Sequence, residues 1–320
     1  MGKAALTFGL AAAALAAMPA LAQVEPTPIG PPPPLPARQR PAVTDAVARA
    51  ATKRIQPDKI ILIGDSTTQV GSGWGGAFCD NHVVSNLSCL NLARGGRSTF
   101  SYRAEGSWDL ALGEMKVLGY RHVYVLIQFG HNDQPGKPGR TTDLYTEFPQ
   151  NLAHYVNDVR AAGAIPVLLT PLTRRSFKSG SLQEDLAAWS DAVRKVAADM
   201  KVPLVDLNRD SALAVQAMGP VEALSLAMSP PPQVVIDAAK TGTTIEAPKN
   251  GAPQPLTSTE TVEKPQGRPG TPFDYTHLGP KGAEYFAHMV AVELARVVPD
   301  LRKELVDKLY PAPYPMPPGY

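Results

Sequence analysis

The feature that most constrains this chain is an alternation of hydrophobic periods. Short continuous apolar runs, rich in β-branched residues, occur at 59–63 (KIILI), 88–93, 122–129 (HVYVLIQF), 164–170 (AIPVLLT) and 202–207 (VPLVDL). Runs of that length and character read as parallel strands buried on both faces. Helical periods lie between them. Leu182, Leu186, Trp189, Val193, Val196 and Met200 step by four or three, as do Tyr145, Phe148, Leu152, Tyr155 and Val159. A last stripe of Phe286, Met289, Val290, Leu294 and Val297 follows Gly279-Pro280, a helix-starting pair. The order is βαβαβαβαβ and then a closing helix. With right-handed crossovers this gives a doubly wound parallel sheet covered by helices on both faces. Ligands in such sheets bind beyond the carboxyl ends of the strands, so the residues that follow each run carry the functional information.

Composition removes several classes. The 320 residues are 44% apolar, enough for a substantial core, and the net charge is +2. A chain so near neutral lacks the electrostatic footprint of a nucleic-acid binder. Six His and two Cys cannot build a Cys-rich zinc module, and no HExxH spacing occurs, so no metal is expected. No GxxxxGK[ST] loop exists, no GxGxxG follows the first run and GxSxG is absent. Prolines number 33, and most of them crowd into 25–41, 229–272 and 299–320. The reading is a signal peptide at 1–22, a Pro-rich spacer and lead-in at 23–55, a globular domain at 56–298 with a polar, Pro-rich insertion at 229–272, and a Pro-rich tail at 299–320. Lys3 flanks the apolar stretch 4–17, and Ala20-Leu21-Ala22 fits the cleavage rule, which predicts a periplasmic or secreted chain free of the membrane after cleavage near Ala22. Export predicts a disulfide between Cys79 and Cys89, ten residues apart.

Four segments stand at the ends of runs or ahead of the last helix: Gly64-Asp65-Ser66-Thr67-Thr68, Arg94-Gly95-Gly96-Arg97-Ser98, Gly130-His131-Asn132-Asp133 and Asp274-Tyr275-Thr276-His277-Leu278. Taken singly, Ser66 reads as a helix cap, Gly96 as a turn glycine and Asn132 as an Asx turn. Taken together they offer more. The Ser66 hydroxyl can act as a nucleophile if a base is near, and Asp274 can orient the imidazole of His277 three residues on. Donors at three adjacent strand ends can converge on one oxyanion.

These blocks, in this order, resemble those of the SGNH (GDSL-type) hydrolases over about residues 59–298, and within that family the rhamnogalacturonan acetylesterase group. The resemblance implies a flavodoxin-like, three-layer α/β/α sandwich with about five parallel strands and no cofactor. It implies Ser66 as nucleophile, His277 as base oriented by Asp274, and an oxyanion hole made by the N–H groups of Ser66 and Gly96 with the Asn132 side chain. The implied reaction is removal of O-acetyl groups from an acetylated polysaccharide or oligosaccharide. Two other readings stay open: an SGNH esterase or lipase acting on small acyl or lipid esters, and a non-catalytic glycan-binding protein on the same fold. The loops past the second, third and fourth runs carry Arg94, Arg97, Arg103, Lys137, Arg140, Arg174, Arg175 and Lys178 but few acids. Arg suits carboxylates. Arg97, His131, Arg174 and Arg175 are therefore expected to touch substrate, and a pectic, acidic backbone is expected to be preferred.

Overall fold

The computed structural model describes Arg49, residues 55–246 and residues 272–305. Five strands form one parallel sheet: β1 (Asp58–Gly64), β2 (Leu87–Asn91), β3 (Val123–Gln128), β4 (Ile165–Leu169) and β7 (Leu204–Val205), in the order β2-β1-β3-β4-β7. A two-residue antiparallel pair, β5 (Phe177–Lys178) and β6 (Ser181–Leu182), lies apart from it. Every residue of β1 and β3 is buried, which explains why their sequences are apolar without alternation.

The period of two along each strand sorts its side chains into two cores. Ile60, Leu62, Tyr124, Leu126, Val167 and Leu169 meet one helical layer. That layer comprises α1 (Gly75–Asn81), α6 (Leu207–Glu222) and α8 (Pro280–Val297), which supply Phe78, Val215, Phe286, Met289 and Leu294. Ile61, Ile63, Val123, Val125, Ile127 and Leu168 meet the other. It comprises α2 (Ser101–Ala104), α3 (Ser107–Met115), α4 (Glu147–Ala161) and α5 (Ala187–Met200), which supply Tyr102, Trp108, Tyr155 and Trp189. The result is a three-layer α/β/α sandwich. Cys79 of α1 and Cys89 of β2 form a disulfide that ties the edge strand to the layer beside it.

Several boundaries differ from expectation. Tyr145 is 84% exposed and precedes α4, in a turn where Asp143 accepts the N–H groups of Tyr145 and Thr146. Leu182 lies on β6, not on the α5 stripe. The insertion is ordered over 229–246: α7 (Gln233–Lys240) buries Val235 and Ala239 against Leu224 and Phe273. Residues 247–271 lie outside the described residues. The tail begins within the fold, since a 3₁₀ turn over Pro299–Glu304 buries Leu301 and pairs Leu305 with Val83. Residues 1–22, read above as a signal peptide, and nearly all of the expected lead-in, like residues 306–320, lie outside the described residues.

The sheet order reverses direction between β1 and β3: the chain leaves β1 for β2 on one side and returns to β3 on the other. That switch opens a crevice at the carboxyl ends, where the four segments named above converge.

Candidate active site

β1 ends at Gly64, and the next residues close a turn in which the Asp65 carbonyl accepts the N–H groups of Thr68 and Gln69. The Asp65 carboxylate accepts the N–H and hydroxyl of Thr67 at 2.9 and 2.8 Å. Ser66 therefore sits on a rigid turn, 5% exposed, and not at a helix start, since α1 begins only at Gly75. The chain then folds back over the turn: a Cβ at Gly73 would lie 2.2 Å from the Thr67 backbone, so no larger residue fits. Gln128 at the end of β3 anchors the turn from below, its Oε1 accepting the Thr68 hydroxyl and the Trp74 indole N–H. The Gln69 side chain accepts the Gly95 N–H and links the turn to the loop after β2.

From the far side, the loop ahead of α8 brings His277 against the serine. His277 Nε2 lies 2.9 Å from Ser66 Oγ, and His277 Nδ1 lies 2.6 Å from Asp274 Oδ2. Asp274 Oδ1 accepts the N–H groups of Thr276 and His277, both at 2.7 Å. Burial alone would push the Asp274 carboxyl up, but His277 and these two amides outweigh it and hold it down to about 2. Asp274 is then an anion at all ordinary pH values, fixing a proton on His277 Nδ1 and leaving Nε2 to accept from Ser66.

Gly96 adopts φ +79°, a left-handed conformation that favours glycine. Neither its N–H nor that of Ser66 donates to an acceptor among the described residues. Asn132 Nδ2 gives one hydrogen bond, to the Arg97 carbonyl at 3.1 Å, and keeps its second hydrogen.

The four residues expected to touch substrate are buried or engaged with groups of the protein. Arg175 is buried, 1% exposed; its guanidinium donates to the carbonyls of Thr276, Asp274 and His277, and its backbone N–H to Tyr275. It braces the Asp–His loop from within, and burial lowers its pKa to about 10. Arg97 pairs with Glu105 at 2.8 Å and donates to the Gly95 carbonyl. His131 is buried with both ring nitrogens closed off from solvent, and burial pushes its pKa down. Its Nδ1 lies 3.6 Å from Asp65 Oδ2, and neither ring nitrogen has a hydrogen-bond partner. Arg174 pairs with Asp185 and donates to Gln134 and Thr276, so it borders the His277 loop with its donors already engaged. Sequence reasoning missed Gln128 and Gln69, whose amides lock the strand ends together; a glutamine closing an apolar run was the available signal. Among the described residues no three His, Cys, Asp or Glu side chains group as a metal site.

A parallel α/β sandwich with a Ser–His–Asp line at its carboxyl edge defines a class, the α/β acyl hydrolases. The chain belongs, more specifically, to the GDSL-like lipase/acylhydrolase family, whose profile matches residues 62–226, and it is accordingly a hydrolytic enzyme. It is 35% identical over 179 residues to "Rhamnogalacturonan acetylesterase RhgT" of Bacillus subtilis, covering 53% of this chain and 74% of that protein. It is 34% identical over 159 residues to "Probable rhamnogalacturonan acetylesterase YesY" of the same organism, covering 48% and 71%. The fold is similar to the crystal structure of the Bacillus subtilis protein YxiM, with TM-score 0.54 and 21% identity, over 76% of this chain and 57% of that one.

Proposed function

We propose that this protein is an exported carbohydrate esterase that removes O-acetyl groups from acetylated rhamnogalacturonan. The observation that carries the reading is the continuous line from Ser66 Oγ through His277 to Asp274. His277 Nε2 takes the hydroxyl proton as Ser66 Oγ attacks the acetyl carbonyl. The resulting oxyanion is held by the N–H groups of Ser66 and Gly96 and the free hydrogen of Asn132 Nδ2. Collapse expels the sugar oxygen, which receives the proton from His277. Water then attacks the acetyl-serine with His277 again as base, and acetate leaves. The acetyl group and the pectic backbone are supported by the names of the two Bacillus subtilis relatives. Export is supported by the leader-like residues 1–22.

Acetate release from acetylated rhamnogalacturonan, acetylated xylan and a p-nitrophenyl ester series of rising chain length tests the reading. Rhamnogalacturonan is expected to be the best polymer and the acetyl ester the best small substrate. Ser66→Ala should lower kcat by about 10⁴-fold or more, as triad nucleophile deletions do. A folded Ser66→Ala protein that keeps its turnover would rule the mechanism out, and a preference for long acyl chains would replace the acetylesterase reading with a lipase-like one.

A further inference from the structure

Two cations of one short turn grip the oxyanion donors from behind. Between β3 and α4 the Lys137 carbonyl accepts the N–H groups of Arg140 and Thr141, both at 3.0 Å. The Thr141 hydroxyl accepts the Lys137 N–H and donates to the Gln134 carbonyl. The turn so closed sends the half-buried Lys137 side chain back to the end of β3. Its Nζ lies 2.6 Å from the His131 carbonyl oxygen and 3.4 Å from Asn132 Oδ1. Arg140 Nη1 donates to the Gly96 carbonyl at 3.2 Å.

The Asn132 carboxamide thus has a neighbour of fixed polarity on each side. An ammonium faces its oxygen, and the Arg97 carbonyl accepts from its nitrogen. Turning the amide over would set Asn132 Oδ1 against the Arg97 carbonyl and the NH₂ group against the ammonium, which has no acceptor to offer. Both neighbours select one orientation, the one that leaves an Nδ2 hydrogen unclaimed.

We infer that Lys137 is a positioning residue for acyl transfer: its ammonium fixes the Asn132 carboxamide and the preceding peptide so that the free Nδ2 hydrogen meets the oxyanion, while Arg140 holds the Gly96 peptide in the same way. The inference rests on the oxyanion-hole role proposed above. It also removes Lys137 and Arg140 from the set of side chains available to read a sugar.

A double-mutant cycle with the full chain and p-nitrophenyl acetate, a small neutral substrate, tests it. Asn132→Ala should lower kcat by about 10²–10³-fold, the usual loss for one oxyanion donor. Lys137→Met, which keeps the stem and removes the ammonium, should lower kcat by about tenfold or more and leave KM within about twofold. In the Asn132→Ala background the same change should alter kcat by less than about threefold, because the group it positions is gone. Should Lys137→Met not fold, Lys137→Gln, an uncharged donor, takes its place, with a smaller loss and the same coupling. Equal losses in the two backgrounds, a loss confined to KM, or a loss explained by the folded fraction alone would each overturn the inference. A silent Lys137→Met beside an impaired Asn132→Ala overturns it too. Wild-type kcat in Asn132→Ala overturns instead the oxyanion reading on which it stands.

Discussion

Asp133 follows Asn132 directly and is buried, with Thr99 N–H, Thr99 Oγ1 and Thr142 Oγ1 all donating to its Oδ1. Burial outweighs those donors and pushes its carboxyl up from 3.8 to about 7. In the unfolded chain the group ionises near its ordinary value. Between about pH 4 and 7 the folded chain therefore holds a proton that unfolding releases, and stability falls as pH rises through that window. The contribution is fully present below the unfolded value and lost above about 7, with a total on the order of 4 kcal/mol. Asp274, held near 2, titrates below the window. Asp133→Asn accepts the same donors and cannot ionise, so it should flatten the slope; urea midpoints at pH 5 and 8 measure it. Because His131, its pKa pushed down by burial, works in the opposite direction, the test is the difference between the two proteins: a mutant as pH-sensitive as wild type would refute the assignment. At this scale the sequence was legible where chemistry demands one residue type at a strand end. Ser66, His277 and Asp274 lie within hydrogen-bond distance of one another in the order the sequence suggested. It was illegible for charged side chains, whose partners lie far along the chain: nothing local in Arg175 says that it will be enclosed behind Thr276 and His277, some hundred residues on.

Among the elements, the strands at the centre of the sheet were the most readable, because burial on both faces confines their polar residues to the ends, Asp58 and Lys59 before β1's apolar run and Gln128 after β3's. The expected 59–63 and 122–129 fall on β1 and β3 within a residue or two. β7 keeps only two paired residues of the expected six, since an edge strand ends wherever its neighbour stops pairing. The α7 turn of the insertion was missed: two buried residues, Val235 and Ala239, make a pattern too short to stand out. The Cys79–Cys89 bridge closes a ten-residue separation between α1 and the edge strand β2. Cross-linking a loop of that size stabilises by about 2–3 kcal/mol in the chain-entropy account. In protein collected outside the cytoplasm, where the proposed export would place it, mass spectrometry should find no free thiol, and reduction should lower the urea midpoint accordingly. Two free thiols in protein taken from outside the cytoplasm, or an unchanged midpoint on reduction, would contradict this.

Over the whole molecule the formal charge is +2, and the eight basic residues beyond β2, β3 and β4 looked from sequence like a rim built for an acidic polymer. Folding spends most of that charge internally. Arg97 is paired with Glu105, Arg103 with Asp158 and Arg174 with Asp185. Arg175 is enclosed, and Lys137 and Arg140 hold backbone and amide oxygens. The acids that neutralise the rim were invisible as partners because Asp158 lies on α4 and Asp185 just ahead of α5, outside the loops themselves. Arg94 and Lys178 remain, both exposed. Arg94 lines a half-open cavity of about 250 Å³ with Asn91, Leu92, Tyr102, Ser107 and Leu110 at the carboxyl end of β2. A polymer read by one or two exposed charges should show a shallow salt dependence, because a single exposed pair is worth little and is screened within about 10 Å at 0.1 M. Between 20 and 300 mM salt, kcat/KM on acetylated rhamnogalacturonan should therefore fall by no more than about threefold, and Arg94→Ala should remove most of that fall while leaving p-nitrophenyl acetate hydrolysis unchanged. A tenfold or steeper fall that Arg94→Ala does not diminish would show that the acidic backbone is read by charges elsewhere on the chain.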